Sequence, residues 1–171
     1  ADNYFHFGRP DDLPLVGDWD GDGKDTIALQ RGTTFFVNNS LVGGNVNGYA
    51  FGAESDRTLA GDWDGDGKDT ISVRRGGSYF INNKLIGGAV DSFEFGDSTY
   101  HAVVGDWDSD GIDTISLVDE KVEKVGLNNE VTPSALPTFQ DLATLVRGAD
   151  ALIAGDWNGD GTDTLGFVWY A

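Results

Sequence analysis

The chain contains no cysteine in its 171 residues, which excludes disulfides, thiolate metal sites and thiol catalysis and leaves the redox compartment open. Positive charge is scarce as well, with 11 Lys and Arg against 29 Asp and Glu and a formal net charge of -18. Such a balance repels a phosphate backbone and an anionic lipid surface, so nucleic acid is not an expected partner and membrane insertion is not expected either. No apolar run approaches the ~20 residues of a spanning helix, and residues 1–16 are not expected to act as a signal peptide. Histidine occurs twice, as His6 and His101. Their places are not equivalent in the repeat, and both read as surface or packing residues.

What the chain has is acid in one repeated place. The stretch GDWDGDGKDT runs from Gly17 to Thr26 and again, unchanged, from Gly61 to Thr70. It returns as GDWDSDGIDT at Gly105 to Thr114 and as GDWNGDGTDT at Gly155 to Thr164, with starts 44, 44 and 50 residues apart. These loops hold 15 of the 29 acidic residues. Outside them the chain is only mildly acidic, and five Trp, ten Phe and five Tyr argue for a packed interior rather than a solvated acidic coil.

A period near 44 marks an architecture in which each unit is one supersecondary element that cannot bury its apolar face alone. Within a unit the pattern predicts four short strands and no helix. They are a short apolar strand before the loop, an alternating strand after it (TIALQ, TISVR), a third ending in Asn-Asn (FFVNN, YFINN), and a fourth ending in Phe-Gly (GYAFG, SFEFG). That is the size of one propeller blade. The expected fold is therefore all-β, a small propeller in one domain, 1–171. Its units are 9–52, 53–96, 97–148 and 149–171, the last closed by a strand from 1–8 (NYFHFG at Asn3 to Gly8); because the fourth unit lacks its third strand, a half-ring that dimerises and a fragment of a longer array remain the alternatives to a closed ring. The third unit is longer and carries Pro133 and Pro137, and the segment PSALPTFQDLATLV leaves room for a helical turn.

Within the loops, acids at positions 1, 3 and 5, with one Asn at position 3 of the fourth, and Gly at 6 bend the chain around a point and aim oxygens inward, as a hard cation requires. In the first loop these are Asp18, Asp20 and Asp22, followed by a further acid, Asp25. Position 7 is Lys24, Lys68, Ile112 or Thr162, a variability that suits a backbone carbonyl ligand. Without a cation, carboxylates so close repel by roughly 1 to 4 kcal/mol per pair. The ion expected is calcium, about one per loop, because magnesium demands strict octahedral geometry and fewer protein ligands. The helical EF-hand is excluded, since its Glu at position 12 is replaced by Leu29, Val73, Leu117 and Phe167. Calcium chemistry favours a secreted or cell-surface setting.

Taken together, FG, then GDWDGDG, then DTIALQRG resembles the FG-GAP or VCBS-type repeat of integrin-alpha-like calcium-binding propellers, over nearly the whole chain. In that family the loop joins the first two strands of a blade and its acids fall at positions 1, 3, 5 and 9. The resemblance implies ligation by Asp18, Asp20 and Asp22; Asp62, Asp64 and Asp66; Asp106, Asp108 and Asp110; and Asp156, Asn158 and Asp160, with Asn158 weakening the fourth site. Position 9 is here Thr26, Thr70, Thr114 and Thr164, while an acid stands at position 8 as Asp25, Asp69, Asp113 and Asp163. Both positions are candidates for the last ligand.

Four equivalent sites filled by protein oxygens read as staples rather than catalytic centres, and Ser40, Ser78 and Ser134 lack the motif of an activated nucleophile. The chain is therefore not expected to be an enzyme. Repeated shallow surfaces suit a repetitive ligand, whose weak contacts add through effective concentration. Candidate contacts are Arg31 and Arg75, the pairs Asn38-Asn39, Asn82-Asn83 and Asn128-Asn129, and the rings Phe36, Tyr79 and Phe80, since amides bond hydroxyls and rings stack on sugars. The tryptophans Trp19, Trp63, Trp107 and Trp157 are expected between blades. Similar repeats occur in fungal propeller lectins, integrin heads and appendages of secreted bacterial wall hydrolases. The resemblance implies a glycan- or cell-wall-binding module that targets an attached secreted enzyme, or alternatively a protein-adhesion scaffold.

Overall fold

The computed structural model describes residues 4–119, 124–141 and 151–169. Among these residues the regular structure is all strand, in four antiparallel sheets, one per repeat. The first sheet holds β1 (Leu13–Gly17), β2 (Thr26–Arg31), β3 (Thr34–Asn38) and β4 (Gly48–Ala50), in that spatial order. The second repeats it with β5 (Arg57–Gly61), β6 (Thr70–Arg75), β7 (Ser78–Phe80) and β8 (Ser92–Glu94). In the third stand β9 (His101–Gly105), β10 (Thr114–Asp119), β11 (Lys124–Gly126) and β12 (Gln140–Asp141), and in the fourth β13 (Ala151–Gly155) and β14 (Thr164–Val168).

Each acidic loop links the first two strands of its sheet, and the register is the same every time. Gly17 faces Thr26, Gly61 faces Thr70, Gly105 faces Thr114 and Gly155 faces Thr164. In the first two sheets, two-residue hairpins then join the second and third strands. Arg31 faces Thr34 across a turn whose Gly32 has φ of 56°, and Arg75 faces Ser78 across Gly76 at 64°, the left-handed backbone that tight hairpins need.

First strands of successive sheets lie side by side, β1 by β5, β5 by β9 and β9 by β13. Between each pair the alternating strands bury one apolar layer. Trp19, Ala28, Phe35 and Phe51 of the first repeat meet Ile71 and Val73 of the second. Trp63, Tyr79 and Phe95 meet Ile115 and Leu117, and Val103, Trp107, Val118 and Val125 meet Leu152, Ala154 and Leu165. Removing a large apolar side chain of this kind from water is worth about 1.5 to 3 kcal/mol. The tryptophans at loop position 2 thus pack between sheets in the first three repeats, and their exposures are 2, 3 and 9 %.

Three local expectations differ from the structure. Trp157, expected between sheets like its counterparts, is 60 % exposed, because no described sheet stacks on the fourth. Tyr4–Gly8, the described part of the strand expected to close the last sheet, carries no strand pairing and lies on the first sheet. There the His6 carbonyl stands 2.7 Å from where a Cβ on Gly43 would be, and the Leu29 side chain fills the space beside Gly8. The described sheet of the fourth repeat is accordingly two-stranded. In the third repeat, 133–139 has no helical turn and leads into β12. Its prolines lack the N–H a helix needs, and Pro137 packs against Gly126. The rest of that segment, 142–146, lies outside the described residues, as does Asn3.

Candidate functional site: four acidic loops and two repeated pockets

Position 1 organises each loop. The Asp18 carboxylate accepts the N–H groups of Gly21 and Asp22 on Oδ1, at 2.8 and 3.1 Å, and that of Gly23 on Oδ2 at 2.7 Å. Asp62 and Asp156 each accept the same three bonds, and Asp106 accepts the N–H groups of Asp108, Asp110 and Gly111. Burial opposes ionisation of Asp18, but the amides, led by Gly23, outweigh it and hold the carboxyl below the usual range. The amides of Gly161, Gly159 and Asp160 hold Asp156 down likewise. Glycines at positions 4 and 6 take positive φ in the first, second and fourth loops, and Ser109 at 62° takes the position-4 place in the third.

With the chain so bent, carboxylate oxygens of Asp18, Asp20 and Asp22 lie within 4.8 Å of one another, as do those of Asp62, Asp64 and Asp66 and of Asp106, Asp108 and Asp110. Three triplets of hard oxygen donors can hold a metal ion. The donor set fits calcium, which takes six to eight oxygens from carboxylates, carbonyls and water. In the fourth loop Asn158 replaces an acid. Its Nδ2 donates to Asp160 Oδ2 at 3.0 Å and its Oδ1 accepts the Asp160 N–H at 2.9 Å, so one carboxylate charge is missing and one oxygen of Asp160 is engaged.

The side chains at positions 7, 8 and 9 make further contacts. Lys24 Nζ sits 2.8 Å from Asp22 Oδ2, and Lys68 Nζ 3.4 Å from Asp66 Oδ2. The stem of Lys68 packs on Gly21 of the preceding loop and Ile112 on Gly65, while the Thr162 hydroxyl bonds Ser109. At position 8, Asp69, Asp113 and Asp163 each reach back to the preceding loop and accept the N–H of Asp18, Asp62 and Asp106, at 2.7, 2.8 and 3.0 Å. Burial is the main cause that raises all three carboxyls, Asp113 to about 7. Asp25 has no loop before it and is exposed. At position 9, Thr26 Oγ1 donates to Asn39 and Thr114 Oγ1 to the Asn128 carbonyl. Thr70 is buried, and Thr164 is exposed.

The other expected contacts divide into two places. Arg31 faces Thr34 and Asn38 faces Ile27 along one ladder, so arginines and asparagines occupy opposite ends of the hairpin. Asn38 and Asn82 are buried, with side-chain amides bonded to the carbonyls of Val42 and Ile86, and they brace turns. Asn128 bonds the carbonyls of Ile115 and Glu130, and Asn129 donates to Asp108 Oδ2 at 2.7 Å. Asn39 and Asn83 are exposed at the loop end. Tyr79 is fully buried and stacks on Phe93, so it belongs to the core and not to an exposed contact surface.

At the other end the structure assembles one pocket twice. Arg31 forks onto the Asp12 carboxylate at 2.7 and 2.6 Å and lies 4.8 Å over the Phe36 ring. Arg75 forks onto Asp56 at 2.7 and 2.9 Å and lies 5.2 Å over Phe80. Each unit borders an open cavity, of about 150 Å³ beside Phe7, Gly8, Leu29 and Gly44, and about 220 Å³ beside Phe51, Gly52, Val73 and Gly88. The linings correspond at an offset of 44 residues. Both carboxylates are 2 % exposed, whereas the arginines are 36 and 52 % exposed. In the third repeat Asp119 and Gly126 replace the arginine and phenylalanine, and Pro137 comes within 2.4 Å of where a Cβ on Gly126 would stand. Asp12 and Asp56 were absent from the sequence candidates, although the spacing FG-x3-D recurs at Gly8 and Gly52.

Compared with protein-family models, with curated proteins and with solved structures, the chain finds no match.

Proposed function

We propose that this protein is a non-catalytic, calcium-stapled binding module of FG-GAP type that recognises carbohydrate, most naturally a cell-wall glycan, and holds an attached secreted enzyme near it. The observation that carries the reading is the twofold recurrence of the Arg–Phe–Asp pocket. A buried carboxylate fixes the guanidinium plane and offsets its charge, leaving donors that face hydroxyls. The adjoining ring offers an apolar face for a sugar ring. Cavities of this size fall below the roughly 300 Å³ at which drug-sized sites begin, which suits one sugar unit per pocket. Two weak sites on one rigid array then gain from a repetitive ligand.

Calcium enters as structure. One ion per acidic loop would be held by Asp18, Asp20 and Asp22, and by the equivalent acids of the second and third loops, with a weaker site at Asp156, Asn158 and Asp160. Bound there it neutralises carboxylates that otherwise repel, and so stiffens the loops through which successive sheets touch.

A glycan array in calcium buffer, probed with the wild type and an Arg31→Ala/Arg75→Ala double variant, tests this reading. Wall-type glycans should retain the wild type and lose the variant, while the rise in melting temperature on adding calcium stays the same in both, even though the variant, with Asp12 and Asp56 left unpaired, melts lower. Retention of no glycan, together with capture of a protein ligand, would replace glycan recognition with protein adhesion.

A further inference from the structure

Each internal junction buries the same two surfaces. A leading face carries a loop tryptophan and the first strand, as Trp19 with Leu15; a trailing face carries the next repeat's first two strands, as Ala60 with Ile71 and Val73. Beside them runs the bond from the position-8 carboxylate to the position-1 amide, made at all three junctions.

One surface of each kind is left over. The last sheet presents a leading face on which Trp157 is 60 % and Ile153 41 % exposed, and no carboxylate accepts the Asp156 N–H among the described residues. The first sheet presents a trailing face with Val16 61 % exposed, Ile27 beside it, and the exposed carboxylate of Asp25 without a hydrogen-bond partner among the described residues. Tyr4–Gly8 already lies on this sheet as the end of a preceding sheet would. Gly8 abuts Leu29 as Gly52 abuts Val73, and the Arg9 N–H donates to Asp12 as the Ala53 N–H donates to Asp56.

We infer that the last sheet of one copy docks on the first sheet of a second copy, with Trp157 packed over Val16 and Ile27 and the Asp25 carboxylate accepting the Asp156 N–H. The occupant follows from the junctions already built: a leading face fits a trailing face, so the contact is head to tail rather than self-complementary. The chain's own first sheet leaves Trp157 bare. Two copies joined in this way at both ends cover the two leading and two trailing faces left exposed among the described residues.

Sedimentation equilibrium in calcium buffer tests this. The wild type should sediment at twice the chain mass, and Val16→Asp and Trp157→Asp should each be monomeric. An equimolar mixture of the two should regain a dimer through its one intact junction, and Asp25→Ala should weaken association about tenfold. Val16, Trp157 and Asp25 are exposed in the single chain, and calcium-dependent melting verifies that each variant keeps its three internal junctions. A wild type that stays monomeric up to about 1 mM, which would be far above the Kd of a stable dimer, overturns the proposal, whether Trp157 is then bare or covered by its own chain. Dimers that survive Trp157→Asp or Val16→Asp overturn it equally.

Discussion

The Asp69 carboxylate accepts the backbone N–H of Asp18 at 2.7 Å, while the Asp69 N–H donates to the Asp18 carbonyl at 2.8 Å. Two residues 51 positions apart thus close a two-bond clasp between successive acidic loops, and Asp113 with Asp62 and Asp163 with Asp106 close it again. The residue that sets the shape of one loop is thereby held by the next. Loop geometry and sheet stacking become one cooperative unit.

Asp69→Ala removes the acceptor and leaves a half-buried amide unpaired, an effect worth about 1 to 3 kcal/mol. Asp69→Asn keeps an acceptor oxygen and is expected to lose less than half as much. Urea unfolding of both variants against the wild type measures the difference, and equal losses would show that the acceptor itself does not matter.

Chelation is expected to lower the melting temperature, because the carboxylates of Asp18, Asp20 and Asp22 lie within 4.8 Å of one another with no ion to offset them. Calorimetric titration should find three tighter sites and one weaker. Asn158→Asp restores the missing charge and should bring the fourth site level with the others. A fourth site equally weak in that variant would mean that something other than charge sets its affinity.

Tyr79 is buried with a hydroxyl that has no hydrogen-bond partner among the described residues, and burial pushes its ionisation up to about 12. The equivalent residue of the first repeat is Phe35, also fully buried. Tyr79→Phe should therefore be neutral or stabilise the fold by up to about 1 kcal/mol, as removing an unsatisfied polar group does. Thermal unfolding decides it, and a clear loss of stability would reveal a partner for the hydroxyl.

The Arg31 fork, and then the Arg9 amide, hold the Asp12 carboxyl below its ordinary 3.8 despite burial. A depressed carboxyl adds stability above its unfolded value and loses it as pH falls through the folded one. Asp12→Asn should therefore be destabilised relative to wild type at about pH 6, with the gap shrinking toward about pH 3. Unfolding in chelator keeps the loops equivalent in both proteins. A gap independent of pH would assign the loss to packing alone.

Much of this was legible from residue order. Four copies of one loop, alternating strands and Phe-Gly ends specify four antiparallel sheets and the acid triplets, because strand period and turn chemistry act over a few residues. Side-chain partners across the array were not legible. The asparagine pairs read as exposed donors because their amides look free in sequence, yet turn carbonyls of Val42 and Ile86 claim two of them. Tyr79 reads as a surface ring because alternation fixes which residues share a face, not which face a neighbour covers.

The sequence by itself determined the repeat, the strands and the oxygen-rich loops, since these rest on local geometry that each unit carries within itself. Only the tertiary structure decided that position 8 clasps the preceding loop, that Asp12 and Asp56 fix two arginines over phenylalanines, and that Trp157 stands uncovered where its three counterparts are buried. Those outcomes depend on what one unit presents to the next, and contact between distant segments exists only once the sheets have stacked.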